Sequence, residues 1–419
     1  MKNRAAFFIA LRYLWARAHE GGRYLRGAAA GIAVSLVPII VTLIVADGMI
    51  RGITERYIEV GTGHAQVFDT MSNGYENAIY KINEMESVRG TWLEKRGMGV
   101  LAGRGGRTGV TVRSIESSFW DDEGSLSFLK IIEGAHKPET ERDMIIGVTL
   151  AEKIGAKTGD TVRLMTVMPG GEESFSPRMT SFTVRGITSC GYNELDALWC
   201  IIGYDTGRVF SSEQVSTSLI VKIDDPFKKA DNFIYNLYDN LESGFSFFTW
   251  KDLLRSQYSA YETSRQLLLF IMALIVIVAA VNVSSATSML VLERQRDIAV
   301  LKVTGGSVRG VTRIFLWGSF LTGLIGSIIG ITLGLLIGSN INILIRSLEK
   351  FLSFFSGLFN GEEIKILDPG FYLETIPIII DWKMVMLIGF FAILCSVLAS
   401  WLPARRAGKL KPMELIRKT

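Results

Sequence analysis

Apolar residues gather in four long runs along the chain, at 27–50, 267–292, 314–345 and 384–402. A helix needs roughly 20 such residues to cross a bilayer core, so each run predicts a membrane span. The first carries Pro38 near its middle. It is too long for the apolar part of a secretory signal and lacks a small-residue exit site, so it reads as a retained span. The segments between the runs are unequal. Residues 51–266 make a large insert, 293–313 a short loop, and 346–383 a loop of intermediate length. Inside 51–266 the pattern turns to short alternating stretches with turn signals. Met144–Gly147 reads as a strand, Thr149–Ile154 as a short helix, Gly159-Asp160 as a turn, and Thr161–Thr166 and Phe182–Ile187 as strands. The chain is therefore expected to be an α-helical membrane protein with four transmembrane helices, and an α+β extracytoplasmic domain between helices 1 and 2.

Residues 1–26 hold a second kind of pattern. Phe7, Phe8, Leu11, Leu14, Trp15 and Ala18 fall at i, i+1, i+4, i+7, i+8 and i+11, one face of a helix, with Arg12 and Arg17 off it. This predicts an amphipathic helix lying in the cytoplasmic interface ahead of the first span.

Charge adds an orientation. Residues 1–26, the 291–313 stretch and the tail 403–419 hold 17 Lys/Arg against four Asp/Glu, whereas the two remaining loops hold 28 against 36. Lys/Arg excess marks the cytoplasmic side. Both termini and the 293–313 loop are expected there, with 51–266 and 346–383 on the far side. A composition of 48% hydrophobic and 21% charged residues agrees with this division between lipid and water.

Several chemistries are excluded. The centres of the last three spans hold no ionisable side chain, and Asp47 lies near the end of the first, in reach of water, which argues against ion-coupled transport. There is no GxxxxGK[ST] loop, since Gly155-Ala156 precedes Lys157-Thr158 without the glycine pattern, and no HExxH or GxSxG. No catalytic residue, metal ligand or nucleic-acid site is assigned. Cys190 and Cys200 leave two readings open, a disulfide or two buried free thiols. Gly326, Gly330, Gly334 and Gly338 line one helix face and allow close backbone approach, either within the chain or across a dimer. Val167–Ser181, with two prolines and two glycines, predicts a protruding loop or hairpin.

The loop sequence LERQRDIAVLKVTGG, Leu292–Gly306, reads as a short amphipathic helix stopped by Gly305-Gly306. It resembles the E-R-x-x-E-I-x-x-L-(K/R)-x-x-G-(A/G) coupling helix of MacB-like/FtsX-like ABC transporter permeases, the type VII or mechanotransmission group. Asp297 stands where Glu is usual, and Val303-Thr304 where Ala-Leu is usual. The tail PARRAGKLKPMELIR, Pro403–Arg417, resembles the terminal motif of the same group. Within it, Ile145–Thr166, Gly191–Asp196 and Phe371–Pro377 resemble segments of lipoprotein-releasing system permeases of the LolC/LolE type. Met85–Trp120 matches no motif.

The resemblance implies a bacterial inner-membrane permease with a MacB-like periplasmic domain. It implies two copies of an ABC ATPase that use ATP and Mg, no cofactor on this chain, and a second permease subunit, identical or different. The substrate it implies is a lipoprotein drawn from the membrane lipids and passed to a periplasmic carrier. Glu293, Arg294, Asp297, Ile298, Leu301, Lys302 and Gly305 would form the ATPase-coupling helix, with Ile298 and Leu301 as docking anchors. Pro169, Gly170, Phe175, Pro177 and Arg178 would form the carrier-docking loop. Two relatives of the group with other tasks remain as alternatives, a MacB-like exporter of a small molecule or peptide and an FtsX-like signalling permease that transports nothing.

Overall fold

A computed structural model describes residues 3–15, 22–71, 74–170, 174–209, 216–241, 243–358, 373 and 375–410. Helices α1 (Asn3–Trp15) and α2 (Gly22–Arg56) come first. Ten strands follow: β1 (Ala65–Asp69), β2 (Val88–Ala102), β3 (Arg107–Ile115), β4 (Lys130–Gly134), β5 (Asp143–Gly147), β6 (Thr161–Gly170), β7 (Ser174–Ser189), β8 (Trp199–Gly203), β9 (Ser216–Ile223) and β10 (Phe245–Thr249). Short helices α3 (Glu76–Asn83), α4 (Glu123–Phe128), α5 (Val148–Ile154), α6 (Asn193–Leu198), α7 (Pro226–Asn240) and α8 (Trp250–Leu253) are interspersed. The chain ends in α9 (Arg255–Glu293), α10 (Gln295–Val303), α11 (Val308–Ser339), α12 (Ile341–Leu358) and α13 (Trp382–Lys409). Four of these helices are long and apolar enough to cross a membrane: α2 with its continuation to Thr62, α9, α11 and α13. The chain divides into two compact units, one of residues 1–48, 261–364 and 376–419, the other of 49–260 with 365–375.

The sheet unit is a mixed sheet in the order β10-β1-β9-β2-β3-β8-β5-β7-β4, with β6 pairing both β2 and β7. Its elements follow from local chemistry. Asp225 caps α7 by accepting from the Lys228 amide, with Pro226 at the first helical position. Thr249 and Asp252 form a reciprocal capping box on α8. Among the described residues, alternation along the strands buries three apolar clusters, one of them of Trp92, Ile115, Phe119, Trp120, Ile145, Ile201 and Ile220. A second holds Val112, Met144, Ile146, Phe182, Val184 and Ile202 under α5. The third holds Val67, Leu219, Val221, Phe233 and Trp250 with α3 and α7.

The helical unit differs from the sequence reading at several places; α9 begins at Arg255, ahead of the run at 267, and α13 continues past 402 to Lys409. The run at 314–345 is not one helix: α11 starts earlier, at Val308, where Ser307 caps it by accepting from the Gly310 amide, and it ends at Ser339. After Asn340 the chain restarts as α12, which begins in the last residues of that run and continues into what read as loop 346–383. Its apolar residues (Ile341, Leu344, Ile345, Leu348, Phe351, Leu352) recur at helical spacing, which a count of consecutive apolar residues misses. The last difference is α1. Ala6 and Ala10 are buried, and Phe7 and Leu11 pack into a cluster with Leu25, Val311, Ile314 and Phe315. The Phe7 and Trp317 rings meet edge to face at 5.3 Å. Of the predicted lipid-facing positions with described side chains, Phe8 alone points away from the protein.

Candidate functional site

The loop between α9 and α11 folds as the short helix its sequence predicts, and one apolar side of it, Ile298 with Leu301, faces inward. Glu293 ends α9 and Arg294 precedes α10, which starts at Gln295. Gly305, at φ +93°, ends the turn by donating to the Lys302 carbonyl, and Gly306 donates to the Leu301 carbonyl. Arg294 reaches Asp297 at 3.2 Å. Lys302 Nζ donates to the Leu410 carbonyl at 2.5 Å, tying the loop to the end of α13. Ile298 is 1% exposed, and Leu301 packs with it in the cluster of Ala6, Val311 and Ala404. These two residues therefore anchor α10 to its own chain. The open face is Leu292, Arg296, Val300 and Val303, a spacing of four, four and three; Val300 is 64% and Val303 70% exposed.

The Val167–Ser181 segment is a β-hairpin. Met168 pairs with Ser176, Pro169 with Phe175 and Gly170 with Ser174. β2 supports β6 only at Arg163–Met165, so beyond Thr166 the described pairings leave a two-stranded ribbon. Pro177 and Arg178 are exposed on it. The side chains of Pro169 and Phe175, the surroundings of Gly170 and the tip at 171–173 lie outside the described residues. At the other end of β7, Asp196 pins the turn that begins at Gly191 (φ +72°) by accepting from Ser189 Oγ at 2.6 Å and the Cys190 amide at 2.8 Å. The Gly191–Asp196 match is thus a turn-forming element. Cys190 and Cys200 are free thiols, both buried, and burial pushes both above the usual thiol range.

In the helical unit the glycine face of α11 is filled by α2 of the same chain. A Cβ at Gly326 would lie 2.7 Å from the Ala29 carbonyl, and at Gly330 2.8 Å from that of Ala33. At Gly334 and Gly338 it would meet Ile40 and Ile44. One hydroxyl knot joins α9, α11 and α13: Thr287 Oγ1 lies 3.2 Å from both Ser319 Oγ and Ser400 Oγ. Asp47, read as reachable by water, is paired with Arg265. Arg265 Nε lies 2.8 Å from its Oδ1, and its side chain is only 11% exposed. An apolar groove of about 340 Å³ lies between α9 and α13, lined by Met272, Val276, Met384, Ile388 and Phe391 among others.

A further cluster was not anticipated. The six residues after α2, Tyr57–Thr62, continue it as a π-helical turn. Its backbone carbonyls receive buried cations. Lys222 Nζ donates to Ile58 O at 3.1 Å and Glu59 O at 2.7 Å. Arg113 donates to Val60 O at 2.5 Å and Gly61 O at 3.2 Å, and Arg96 to Gly61 O at 2.5 Å. Glu94 lies between the two arginines, and Glu59 Oε2 is 2.6 Å from Lys222 Nζ. His64 Nδ1 accepts from the Ile223 amide, so its Nε2 donates to Glu59 Oε1 at 2.8 Å. Burial pushes the His64 imidazole below its usual range. Three of these residues fall in Met85–Trp120, where no motif pointed to them. Among the described residues no group of three or more His, Cys, Asp or Glu stands ready for a metal.

Two family models match the chain. The MacB-like periplasmic core domain covers residues 27–231, and the FtsX-like permease C-terminal domain covers 269–412. The chain is 28% identical over 427 aligned positions to the lipoprotein-releasing system transmembrane protein LolC of Neisseria meningitidis serogroup B, covering 98% of each chain. It is 25% identical to LolE of Haemophilus influenzae, again over 98% of each. The solved extracellular domain of the ABC-type transporter YknZ from Gram-positive bacteria aligns with 44% of this chain and 98% of its own, at 15% identity and a TM-score of 0.29.

Proposed function

The chain belongs to the MacB/FtsX-like ABC transporter permeases, and from that membership we propose that it is the permease subunit of an ATP-driven lipoprotein-releasing transporter. The observation that carries this reading is the similarity to LolC and LolE proteins along the whole chain, through both domains and the loops that join them. The chemistry is consistent with it. Each buried CH₂ of a lipid anchor contributes about 0.8 kcal/mol, so lifting several acyl chains out of a bilayer takes tens of kcal/mol. The chain carries no nucleotide-binding loop, and the energy would come from ATP and Mg on two copies of a separate ATPase.

In this reading both termini and α10 are cytoplasmic and the sheet unit is periplasmic. The ATPase meets the open face of α10, at Arg296, Val300 and Val303, with Leu292 at the end of α9 beside it. Ile298 and Leu301 pass its push into the helical unit instead of contacting it. A second permease subunit, identical or different, completes the transporter. The β6–β7 ribbon, with Pro177 and Arg178 exposed, is offered to a periplasmic carrier.

The test is purification from the native host in mild detergent, with mass spectrometry of what stays bound. A copurifying ATPase and triacylated lipoprotein are expected. An ATPase without acylated cargo, even when trapped by a hydrolysis-dead variant, would overturn the reading. A cell-wall hydrolase in its place would identify a signalling permease, and a soluble small molecule or peptide an exporter.

A further inference from the structure

The last carbonyls of a helix carry partial negative charge and lack an intrahelical donor. Water or a glycine turn ordinarily satisfies them. At residues 58–61 they are met instead by Lys222, Arg113 and Arg96. The side chains of Lys222 and Arg113 are 1% exposed. These cations come from β9, β3 and β2, which are adjacent in the sheet. One helix end is therefore fastened to three neighbouring strands at once. Desolvating three cations is unfavourable unless each is balanced; here Glu94 and Glu59 sit between them, and the helix end supplies the remaining negative charge.

The glycines in this segment do not make it a hinge. A Cβ at Gly61 would lie 2.5 Å from the Trp199 ring, and one at Gly63 (φ +74°) 2.3 Å from Ile220. Both serve close packing. Arg113 lies 4.9 Å over the Trp199 ring, and Tyr57 meets the same ring edge to face at 6.5 Å. The segment is held by contacts on several sides.

We propose that Arg113, Lys222 and Arg96 are positioning residues for transport: they clamp the sheet-side end of the first membrane helix to β2, β3 and β9, so that displacement of that end moves the sheet with it as one body. This rests on the reading of the chain as part of an ATP-driven lipoprotein-releasing transporter. Without the clamp, hydrolysis continues and its movement is lost in the connection. The class of defect expected is uncoupling.

The experiment uses the full transporter with its ATPase, in proteoliposomes loaded with a triacylated lipoprotein. ATPase rate, lipoprotein release and hydrogen exchange of the 57–62 amides are measured together. The principal variant is Lys222→Met combined with Glu59→Gln, which removes the cation with its counter-charge. Arg96→Met, on a partly exposed side chain, serves if the double variant does not fold. Arg89→Ala, which removes an exposed ion pair with Asp224 in the same sheet, is the control. Exchange at 57–62 is expected to speed up while ATPase stays near wild type and release falls about tenfold or more, the scale of one lost coupling interaction. Unchanged exchange would show that the cations do not hold the helix end. Faster exchange with wild-type release, or release falling only in step with ATPase, would equally overturn the clamp. Failure of the wild-type complex to release any lipoprotein would sink the transport reading instead.

Discussion

Arg113 and Glu94 form a bidentate pair inside the sheet unit, with Nε and Nη2 each 2.7 Å from a different carboxylate oxygen and neither side chain in contact with water. Arg96 adds a third bond at 2.5 Å. Burial alone would raise the carboxyl, but the two guanidiniums outweigh it and hold Glu94 at about 2, below the ordinary 4.5. A carboxyl with a depressed folded-state pKa contributes stability that is present above its unfolded value and lost as pH falls through the folded one. The thermal midpoint of the purified chain in detergent is therefore expected to hold to about pH 5 and to fall between 4.5 and about 2. Glu94→Gln leaves the buried Arg113 and the partly exposed Arg96 without their counter-charge and is expected to cost about 3–5 kcal/mol at neutral pH. It should also flatten that acid limb. A wild-type melting point in the variant would show that the pair is not what holds the sheet.

Gly330 and Gly318 lie on the same helix and should respond in opposite directions. A Cβ at Gly330 would come within 2.8 Å of the Ala33 carbonyl and of Leu36 Cβ, a backbone atom and a carbon fixed to the backbone, neither of which can swing away. Gly330→Ala is expected to destabilise by about 1–3 kcal/mol through overpacking. At Gly318 the nearest atom is Leu25 Cδ1 at 3.9 Å, an ordinary contact. Gly318→Ala there is expected to be neutral or to stabilise by about 0.5–1 kcal/mol through helix propensity. Thermal unfolding of both in one detergent compares them, and equal shifts would contradict the packing.

How much of this is legible in the sequence depends on the range of the interaction. The membrane spans and α5 are legible because their signals are local: runs of apolar residues, caps and turn glycines. α12 is obscured because its apolar stripe begins where the previous span's run has not yet ended, and only Asn340 separates them. The amphipathic character of α10 is legible, but not what Ile298 and Leu301 face. Periodicity gives a face, and the partner for that face comes from α1, α11 and α13 packing beside it. The clamp is the least legible. Arg96, Arg113 and Lys222 look like solvated charges on alternating strands, and only strand order places them over the carbonyls of residues 58–61.

Thr287 carries the polar contact between three helices of the helical unit. It donates or accepts at 3.2 Å with Ser319 and Ser400, and also bonds its own Val283 carbonyl at 2.8 Å. Ser319 keeps a bond to the Phe315 carbonyl if Thr287 is lost. Thr287→Val preserves shape and is expected to cost about 0.6 kcal/mol and no more than about 1.7, the range for hydroxyl contacts between membrane helices. A thermal shift well beyond that range would mean that the knot does more than join the helices.

Two classes of substitution on α10 should separate folding from coupling. Ile298 is buried within its own chain, so Ile298→Ala opens a cavity and is expected to lower stability by about 2–5 kcal/mol. The ATPase it captures should fall only with the amount of folded permease. Val300 and Val303 are exposed on their own chain, so Val300→Asp and Val303→Asp should leave the melting point within about 0.5 kcal/mol of wild type. If the open face receives the ATPase, each aspartate buries an unpaired charge at that interface, and copurifying ATPase should fall about tenfold or more. Arg296→Ala, on the same face, tests whether charge also guides the docking. Should the aspartate variants retain full ATPase and full release, the ATPase must bind elsewhere, and the exposed valines would face lipid or the second permease subunit. Spin labels at position 300, read for accessibility to oxygen with and without the ATPase, distinguish those two outcomes, because lipid contact persists without the partner and a protein contact does not.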